Sequence, residues 1–397
     1  MMITSKDRKR LGIYSHIPFC VRKCRYCGFL SFDRYNQEVE GRYLSALFSE
    51  IERQCPEYRE YEVDTIFIGG GTPTVIPADQ IVRVIECIKQ SFNVRDNAEI
   101  TMESNPGTVS LQSLAQYRKA GVNRLSIGVQ SFRDDILRAL GRIHTAEEAR
   151  NAFQMARKAG FENINLDLMF SIPGLTEEIW EQTLQEAAAL SPEHLSFYSL
   201  QLEEGTEFYR LYKEGRLEIA DDETDRRMYH TAVRFLKEAG YCHYEISNAA
   251  RPGFECRHNL KYWSMEEYLG LGLGASSFTG GRRFSNPSSL ELYENQYKYQ
   301  RVLPRESVCP NSEADSVFEY VFTGLRKTDG IDLSDFEKRF GKPFEDYYGK
   351  LLSYLERLER EGMIRRENNR LAFTLAGLDV SNGILSEFAE PEITSAD

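Results

Sequence analysis

This sequence of 397 residues lacks any long uninterrupted hydrophobic run. The N-terminal residues MMITSKDRKR are basic, but no long apolar stretch follows them. A secretory signal peptide and a membrane-spanning helix each need such a stretch, so neither is expected. We therefore expect a cytoplasmic protein without a membrane anchor.

Positive charge is also in short supply. The chain has 49 Lys and Arg against 61 Asp and Glu, a formal net charge of -12. Broad nucleic-acid binding needs a basic surface, so a nucleic acid is not an expected partner. The 18 acidic and 11 basic residues from Asn311 onward extend this exclusion to the C-terminal part.

Cysteine is scarce as well, with 8 residues scattered over the chain. This low density disfavours a disulfide-stapled secreted fold. Three cysteines nevertheless cluster in the run YSHIPFCVRKCRYCGF, at Cys20, Cys24 and Cys27. Soft sulfur ligands favour an iron–sulfur cluster or zinc, and a set of three leaves one metal position for an exchangeable ligand. We favour the open cluster, with a zinc site and a disulfide pair as the alternatives.

Short apolar runs alternate with amphipathic segments over the first two hundred residues. The predicted strands cover residues 11–16, 63–68, 99–103, 124–129, 164–169 and 194–200. The predicted helices cover residues 38–53, 78–91, 111–120, 146–159 and 177–190. Repeated strand–helix units predict a parallel sheet, and six of them predict an α/β fold with a full or partial (β/α) barrel.

The C-terminal part predicts a second, smaller module. Residues 280–289 predict a loop between domains at 1–280 and 290–397. A helix over 346–361, a hairpin of 363–366 and 370–373 and a last helix over about 376–388 follow. This order is typical of a winged-helix-like module, for which the acidic charge disfavours DNA binding.

Polar residues follow the predicted strands at the ends where barrel proteins collect their chemistry. They are the cysteine loop, the glycine run 69–74, the run that starts at Glu103 and the run that starts at Gln130, while Asp167 lies on the fifth strand itself. The glycine run lets the backbone approach a ligand, but no Gly-Lys-Ser/Thr follows, so it is not a P-loop. Each of these features has a structural alternative when it is considered alone. The glycine run could be a tight turn, each carboxylate could be a helix cap or part of a salt bridge, and Arg142 could be a surface charge. Their shared position favours one site.

Together these motifs resemble the radical S-adenosylmethionine (SAM) superfamily. Cys-x3-Cys-x2-Cys followed by GGGTPT carries this likeness. The runs HIPFC, ESNPG, IGVQSF, LGRIH and LDLMFSIPG resemble its oxygen-independent coproporphyrinogen III oxidases, which are dehydrogenases, and the related HemW-type heme chaperones. The resemblance implies a [4Fe-4S] cluster on Cys20, Cys24 and Cys27, with SAM at the fourth iron as the source of a 5′-deoxyadenosyl radical. The radical chemistry belongs to the cofactor, and the protein orients and shields it.

The resemblance also implies which residues contact SAM. By motif position they are Tyr14, Gly70, Gly71, Thr72 and Glu103, while Gln130, Arg142, Asp167 and Tyr26 match positions that serve a second SAM in the dehydrogenases. An arginine and two carboxylates can bind a zwitterion and a ribose.

Departures from the dehydrogenase pattern favour the chaperone branch. Phe29 stands where the dehydrogenases have another cysteine, and only nineteen residues precede Cys20 where they carry a longer arm. The run from His258 to Trp263 matches the HNxxYW run of HemW-like proteins. A histidine beside two aromatic rings can ligate heme iron, although a core histidine is the alternative and Cys256 is an alternative ligand.

The sequence thus predicts a HemW-like heme chaperone that binds heme, a SAM-coordinated [4Fe-4S] cluster and acceptor hemoproteins. The alternatives are a coproporphyrinogen III dehydrogenase, which converts two propionates to vinyl groups, and a protein that keeps its cluster only as a fold staple. Productive SAM cleavage and a homodimeric state stay open at this point.

Overall fold

The computed structural model describes residues 8–298 and 306–393, and residues 1–7 of the basic N-terminus lie outside this part. The strands are β1 (Lys9–Ile17), β2 (Tyr61–Gly70), β3 (Val94–Ser104), β4 (Arg124–Gln130), β5 (Ile164–Phe170), β6 (His194–Ser199), β7 (Cys242–Glu245), β8 (Asn248–Ala250), β9 (Tyr268–Leu271), β10 (Ser276–Thr279), β11 (Arg282–Ser285), β12 (Glu306–Pro310), β13 (Ile331–Asp332), β14 (Ile364–Glu367) and β15 (Arg370–Phe373). The helices are α1 (Gln37–Gln54), α2 (Ala78–Ser91), α3 (Leu111–Ala120), α4 (Asp134–Ala139), α5 (Ala146–Lys158), α6 (Glu177–Ala189), α7 (Glu207–Lys213), α8 (Asp222–Glu238), α9 (Arg257–Trp263), α10 (Leu290–Lys298), α11 (Glu313–Gly324), α12 (Leu333–Phe340), α13 (Phe344–Tyr348), α14 (Leu352–Arg360), α15 (Leu375–Asp379) and α16 (Ser381–Ser386).

One sheet of twelve strands organises the larger part of the chain. Strands β1 to β6 lie side by side in chain order and pair in parallel. The sheet continues past β1 through β9, β10, β11 and β12, and past β6 through β8 and β7, so it is open. This arrangement confirms the predicted α/β fold and makes the barrel a partial one.

The predicted strands and helices of this part all exist. The largest difference is β3, which begins at Val94 instead of residue 99. The added residues include Asp96 and Asn97, which are exposed, so the apolar run marks only the buried half of the strand. Helix ends follow local chemistry, since Ser110 caps α3 and Gly121, with φ of 109°, ends it.

The residues that join the two parts depart from the prediction. The predicted loop 280–289 is largely a hairpin, because β10 and β11 pair across Gly280 and Gly281. Both glycines have positive φ, 58° and 69°, which a tight hairpin turn favours. Helix α10 packs on α1, and β12 pairs with β11. The division at residues 280–290 stays a prediction, and these contacts favour a boundary nearer to residue 311.

The C-terminal module has its own hydrophobic core, with buried members from Val317 to Phe388. Its sheet has the order β13-β15-β14, and Asn368 and Asn369, with φ of 52° and 61°, turn the predicted hairpin. The single helix predicted over 346–361 is two helices, interrupted at Gly349, and the last predicted helix is divided at Val380. A glycine and a β-branched residue are weak helix formers. The helices and hairpin fit the winged-helix-like order.

No helix within residues 8–298 or 306–393 is both long and apolar enough to cross a membrane.

Candidate functional site

A cavity of about 560 Å³ lies at the C-terminal ends of the parallel strands. The predicted site residues on its wall are Cys20, Cys24, Tyr26, Cys27, Gly70, Gly71, Thr72, Glu103, Gln130, Arg142 and Asp167. Tyr14 and His258 are not on that wall. The fold therefore brings most of the predicted set to one place, as parallel strand ends do.

The three cysteines occupy the loop between β1 and α1 as free thiols. The Thr72 hydroxyl donates to Cys20 Sγ at 3.6 Å, and an Arg142 N–H donates to Cys24 Sγ at 3.5 Å. Among the described residues, no three His, Cys, Asp or Glu side chains converge closely enough for a single metal ion. Three thiols that share one cavity wall are compatible with a [4Fe-4S] cluster, in which each cysteine binds a different iron.

The end of β2 passes so close to the cysteine loop that only glycine fits there. A Cβ on Gly70, whose φ is 116°, would lie 2.5 Å from the His16 ring. A Cβ on Gly71 would lie 2.6 Å from the Phe19 carbonyl oxygen and 3.0 Å from Cys20 Sγ. The Gly71 N–H donates to the Ile17 carbonyl at 2.9 Å. The glycine run is thus a tight turn that also holds the cysteine loop in place.

Two partly buried carboxylates, Glu103 and Asp167, line the cavity, and the charge of Arg124 acts on both. Burial, then the negative charge of Asp167, raises the pKa of Glu103 to about 8. Glu103 accepts one hydrogen bond, from the Gly70 N–H at 3.0 Å. Asp167 accepts from the Asn165 amide at 2.7 Å and from the Ser126 hydroxyl, and burial raises its pKa. Within the described part of the chain, neither carboxylate has a basic side chain at salt-bridge distance. A carboxylate without an ion-pair partner suits a cationic ligand, and SAM carries an ammonium and a sulfonium.

The Arg142 side chain connects three loops by hydrogen bonds. It is therefore not the exposed surface charge that its sequence position alone would suggest. One guanidinium nitrogen donates to the Gly128 carbonyl at 2.6 Å and to the Asn105 side-chain oxygen. The Asn105 amide in turn donates to the Thr72 hydroxyl at 2.8 Å. Together with its contact to Cys24, Arg142 ties the ends of β3 and β4 to the cysteine loop.

The wall also contains residues that the sequence did not nominate. Tyr198, at the end of β6, donates its hydroxyl to the Gln130 side-chain oxygen at 2.7 Å. Gln130 has φ of 64°, an uncommon conformation for a residue other than glycine. Asn105 follows a predicted strand, so the strand-end argument could have found it, whereas Tyr198 lies within the predicted strand 194–200 and carried no such signal.

The tyrosines of the predicted SAM set occupy different places. Tyr26 lies on the cavity wall, and burial raises the pKa of its hydroxyl. Tyr14 lies behind the wall, and its hydroxyl pairs with His16 Nδ1 at 2.8 Å. His16 Nε2 pairs with the Leu30 carbonyl at 2.9 Å. Tyr14 therefore contacts His16, which in turn pairs with the cysteine loop at Leu30. Contact between Tyr14 and SAM stays a prediction.

His258 lies near the N-terminal halves of β1 and β2, away from the cavity mouth. Its Nδ1 pairs with the Thr65 hydroxyl at 2.8 Å and its Nε2 with the Tyr262 hydroxyl at 2.9 Å. Burial, then the charge of Lys261, lowers the pKa of His258 to about 3, so the ring is neutral. Both ring nitrogens are thus engaged, as in the core-histidine alternative, and heme ligation stays a prediction. Cys256 is buried as well, with its thiol 3.7 Å from a Glu99 oxygen.

Comparisons with known proteins match both parts of this chain. The model of the Radical SAM superfamily matches residues 14–187, and that of the HemN C-terminal domain matches residues 311–380. The protein named heme chaperone HemW of Bacillus subtilis (strain 168) is 36% identical, over 94% of this chain and 98% of that protein. The protein of the same name from Lactococcus lactis is 33% identical, over 97% of this chain and 99% of that protein.

A solved structure matches the chain over nearly its whole length. Coproporphyrinogen III oxidase (HemN) from Escherichia coli, described as a radical SAM enzyme, has a TM-score of 0.83. The two chains are 26% identical, and the match covers 96% of this chain and 90% of that one.

Proposed function

The chain belongs to the HemW family of the radical SAM superfamily, and from this premise we propose that it is a heme chaperone that binds heme as cargo and passes it to acceptor hemoproteins. The end-to-end similarity to proteins named heme chaperone carries this proposal. Phe29 supports it, because this side chain is 70% exposed on the cavity wall where the dehydrogenases would present a further thiol. The scattered cysteines support a cytoplasmic location, where thiols stay reduced.

The proposed cofactors are a [4Fe-4S] cluster and SAM. Cys20, Cys24 and Cys27 would hold the cluster, which supplies when bound an electron able to cleave SAM. The Glu103 carboxylate would attract the ammonium group of SAM, and the backbone at Gly70 and Gly71 would let the ligand come close.

The remaining wall residues would position and enclose the ligands. The Arg142 guanidinium holds Cys24 and Asn105 in fixed positions and leaves Gln130 and Asp167 facing the space for a second SAM or another polar ligand. Tyr26, a partly buried residue between Cys24 and Cys27 on the cavity wall, would help to exclude water from the cluster.

The cluster proposal is tested by anaerobic reconstitution with iron and sulfide. We expect the broad visible absorbance of a cluster in the wild type and its loss in Cys24→Ala. Cys242→Ala is the matched control, because Cys242 is an exposed free thiol on β7. Cluster absorbance that is unchanged in Cys24→Ala would contradict the assignment. SAM should alter the EPR signal of the reduced cluster, whereas no effect would favour a cluster that serves only as a fold staple.

The heme proposal is tested by titrating the reconstituted protein with hemin. A Soret shift that saturates near one equivalent is expected, and hemin should then move to an apo-hemoprotein. No spectral change at stoichiometric hemin would rule out the chaperone function. His258 is our proposed iron ligand, on condition that the Tyr262 hydroxyl releases Nε2. His258→Ala should then change the Soret position, and the half-exposed His230→Ala should not.

A second candidate function is coproporphyrinogen III dehydrogenation. The fold match to the E. coli oxidase and the carboxylate pair Glu103 and Asp167 favour it, whereas Phe29 disfavours it. An anaerobic assay with SAM, a reductant and coproporphyrinogen III decides between the two. Formation of protoporphyrinogen would overturn the pure chaperone proposal, and its absence together with saturable hemin binding would support it.

A further inference from the structure

A second cleft lies between the end of α9 and the C-terminal module, and it shares no residue with the SAM cavity. Its volume is about 360 Å³. Trp263 and Ser264, at the end of the HNxxYW segment, form one wall. Tyr320, from α11, and Arg339, from α12, form the facing wall. The cleft therefore joins the segment that distinguishes this branch to a module whose role is otherwise unassigned.

Two cations line this cleft without an acidic partner. The Lys327 ammonium donates to Ser264 Oγ at 3.3 Å, and burial lowers the pKa of Lys327. The Arg339 guanidinium donates to the Ser264 carbonyl at 3.2 Å and to the Met265 carbonyl at 2.8 Å. Among residues 8–298 and 306–393, neither cation has a carboxylate within ion-pair distance. Both reach Ser264, so they lie side by side.

The acidic groups of the cleft are committed elsewhere. Glu266 pairs with Lys261 at 2.9 Å, outside the cleft. Asp332 caps α12 and contacts the third cation of the wall, Arg370, at 3.4 Å. The remaining carboxylate, Asp335, pairs with Lys338 at 3.1 Å. Asp64 also pairs with Lys261 and Asp329 also pairs with Arg370, so within the described residues every carboxylate near the cleft that forms an ion pair does so with a cation other than Lys327 and Arg339.

Aromatic rings border the two unpaired cations. The Arg339 guanidinium lies over the Tyr320 ring, 5.3 Å from its centroid. Trp263 also lines the cleft, and the Arg326 guanidinium lies 5.7 Å from the centroid of its ring. Aromatic rings next to two neighbouring cations fit a flat ligand that has an apolar body and carboxylates along one edge.

We propose that this cleft binds the two propionate carboxylates of heme through Lys327 and Arg339, while Trp263 and Tyr320 contact the edge of the macrocycle. The proposal rests on the proposed heme-binding function and extends it to a site that the C-terminal module completes. Each carboxylate gains a charge-assisted hydrogen bond from a cation without an ion-pair partner, and one of the two cations, Lys327, is also partly buried.

The first test needs no variant. The wild-type protein is titrated with hemin and with hemin dimethyl ester, which keeps the iron and the ring but has no propionate charge. Hemin should bind at least tenfold more tightly, because charge-assisted hydrogen bonds are lost with the ester. Equal affinity for the two probes would overturn the proposal and leave the chaperone function standing. Absence of hemin binding would overturn both.

The second test assigns the effect to the two cations. Lys327→Met and Arg339→Gln should each weaken hemin binding about tenfold, change affinity for the ester little, and leave cluster absorbance intact. Lys327→Arg should retain affinity. Lys350→Met is the control, because this lysine is 83% exposed in the same module and outside the cleft. The proposal would be overturned if the variants lost affinity for hemin and for the ester to the same extent, or if the control lost as much. It would also be overturned if Arg339→Gln weakened hemin binding only by unfolding the module.

Discussion

At the residue scale, the Glu103 carboxylate would favour SAM binding, but it lowers the stability of the protein without SAM. Its carboxyl is buried beside Asp167, accepts one hydrogen bond and has a pKa raised to about 8. A carboxyl whose pKa is raised by folding stabilises the protein while protonated and loses that contribution as pH rises towards its folded-state pKa. The native protein without SAM therefore loses stability as the pH rises from about 4.5, the ordinary pKa of a glutamate, to about 8, and SAM binding would offset this cost.

We expect Glu103→Gln to stabilise the protein without SAM by about 1–2 kcal/mol at pH 8.5 and by almost nothing at pH 5, where Glu103 is already protonated. The same substitution should weaken SAM binding at least tenfold, because the carboxylate that would meet the ammonium is gone. Melting temperatures at the two pH values and a SAM titration measure both effects. Glu86→Gln, on the exposed face of α2, is the control. A lower melting temperature in Glu103→Gln at pH 8.5 would contradict the argument.

Most cavity residues were predictable because their chemistry is local to a motif. The cysteines, Gly70, Gly71 and Glu103 each follow a predicted strand, and parallel strand ends meet in space. Tyr198 belongs to no motif, and only the pairing of β5 with β6 brings it beside Gln130. The state of His258 was not predictable either, because its partner Thr65 is 193 residues away along the chain.

At the element scale, Glu50 fastens α1 to α10 and to the turn after β9. Its two oxygens accept from the Gly272 N–H at 2.7 Å, the Asn286 amide at 2.6 Å, and the Tyr293 and Tyr297 hydroxyls at 2.6 and 2.9 Å. Glu50 is fully buried, whereas Glu103 is partly buried, and Glu50 meets four donors instead of one. Its substitution should therefore have the opposite effect.

We expect Glu50→Gln to destabilise the protein by about 2–4 kcal/mol, because an amide N–H₂ would face donors that it cannot satisfy. Urea midpoints at pH 7.5 measure this loss. Glu38→Gln is the matched control on the same helix, since Glu38 is 78% exposed and its ion pair, with Arg42, is on the surface. Equal midpoints for the wild type and Glu50→Gln would show that the four hydrogen bonds do not fasten these elements.

Two glycines of the C-terminal module allow the cost of backbone strain to be measured apart from the cost of a steric clash. Gly330 and Gly341 have similar φ, 66° and 75°. A Cβ on Gly330 would lie 1.9 Å from the Leu371 carbonyl oxygen, whereas a Cβ on Gly341 would meet nothing within 4 Å.

Gly341→Ala should cost about 1–2 kcal/mol, the usual penalty of a left-handed alanine. Gly330→Ala should cost more than about 3 kcal/mol, because β15 must move. Urea denaturation followed by circular dichroism measures both, and equal losses would contradict this reasoning.

The elements themselves were largely predictable, whereas their docking was not. Hydrophobic periodicity identified the six parallel strands and their helices, because each element carries its own pattern. The hairpin of β10 and β11 was missed because its Gly280-Gly281 turn resembles a linker, and its strands are only four residues each. No local pattern records that this hairpin and β12 extend the same sheet.

At the scale of the whole molecule, the C-terminal module covers the free edge of the barrel sheet. Strand β7 is the last strand on that side, and the backbone of Arg326 to Thr328 bonds to it through Ile246 and Tyr244, at 3.1 and 3.0 Å. On the other side of the module, Tyr320 packs against the small apolar cluster of Met265, Tyr268 and Phe278. An uncovered strand edge and an uncovered apolar patch both favour association between chains.

A chain ended after Pro310 should therefore aggregate, even though it keeps every residue of the SAM cavity. Size-exclusion chromatography at micromolar concentration should show large species in place of the full-length elution peak. Cys242→Lys in the shortened chain places a charge on the exposed edge of β7 and should shift part of the protein back to smaller species, because edge lysines oppose strand addition. In the full-length chain Cys242→Lys should leave elution unchanged. A shortened chain that elutes as a single small species with normal cluster absorbance would show that the module is needed for its own ligand and not to protect the barrel.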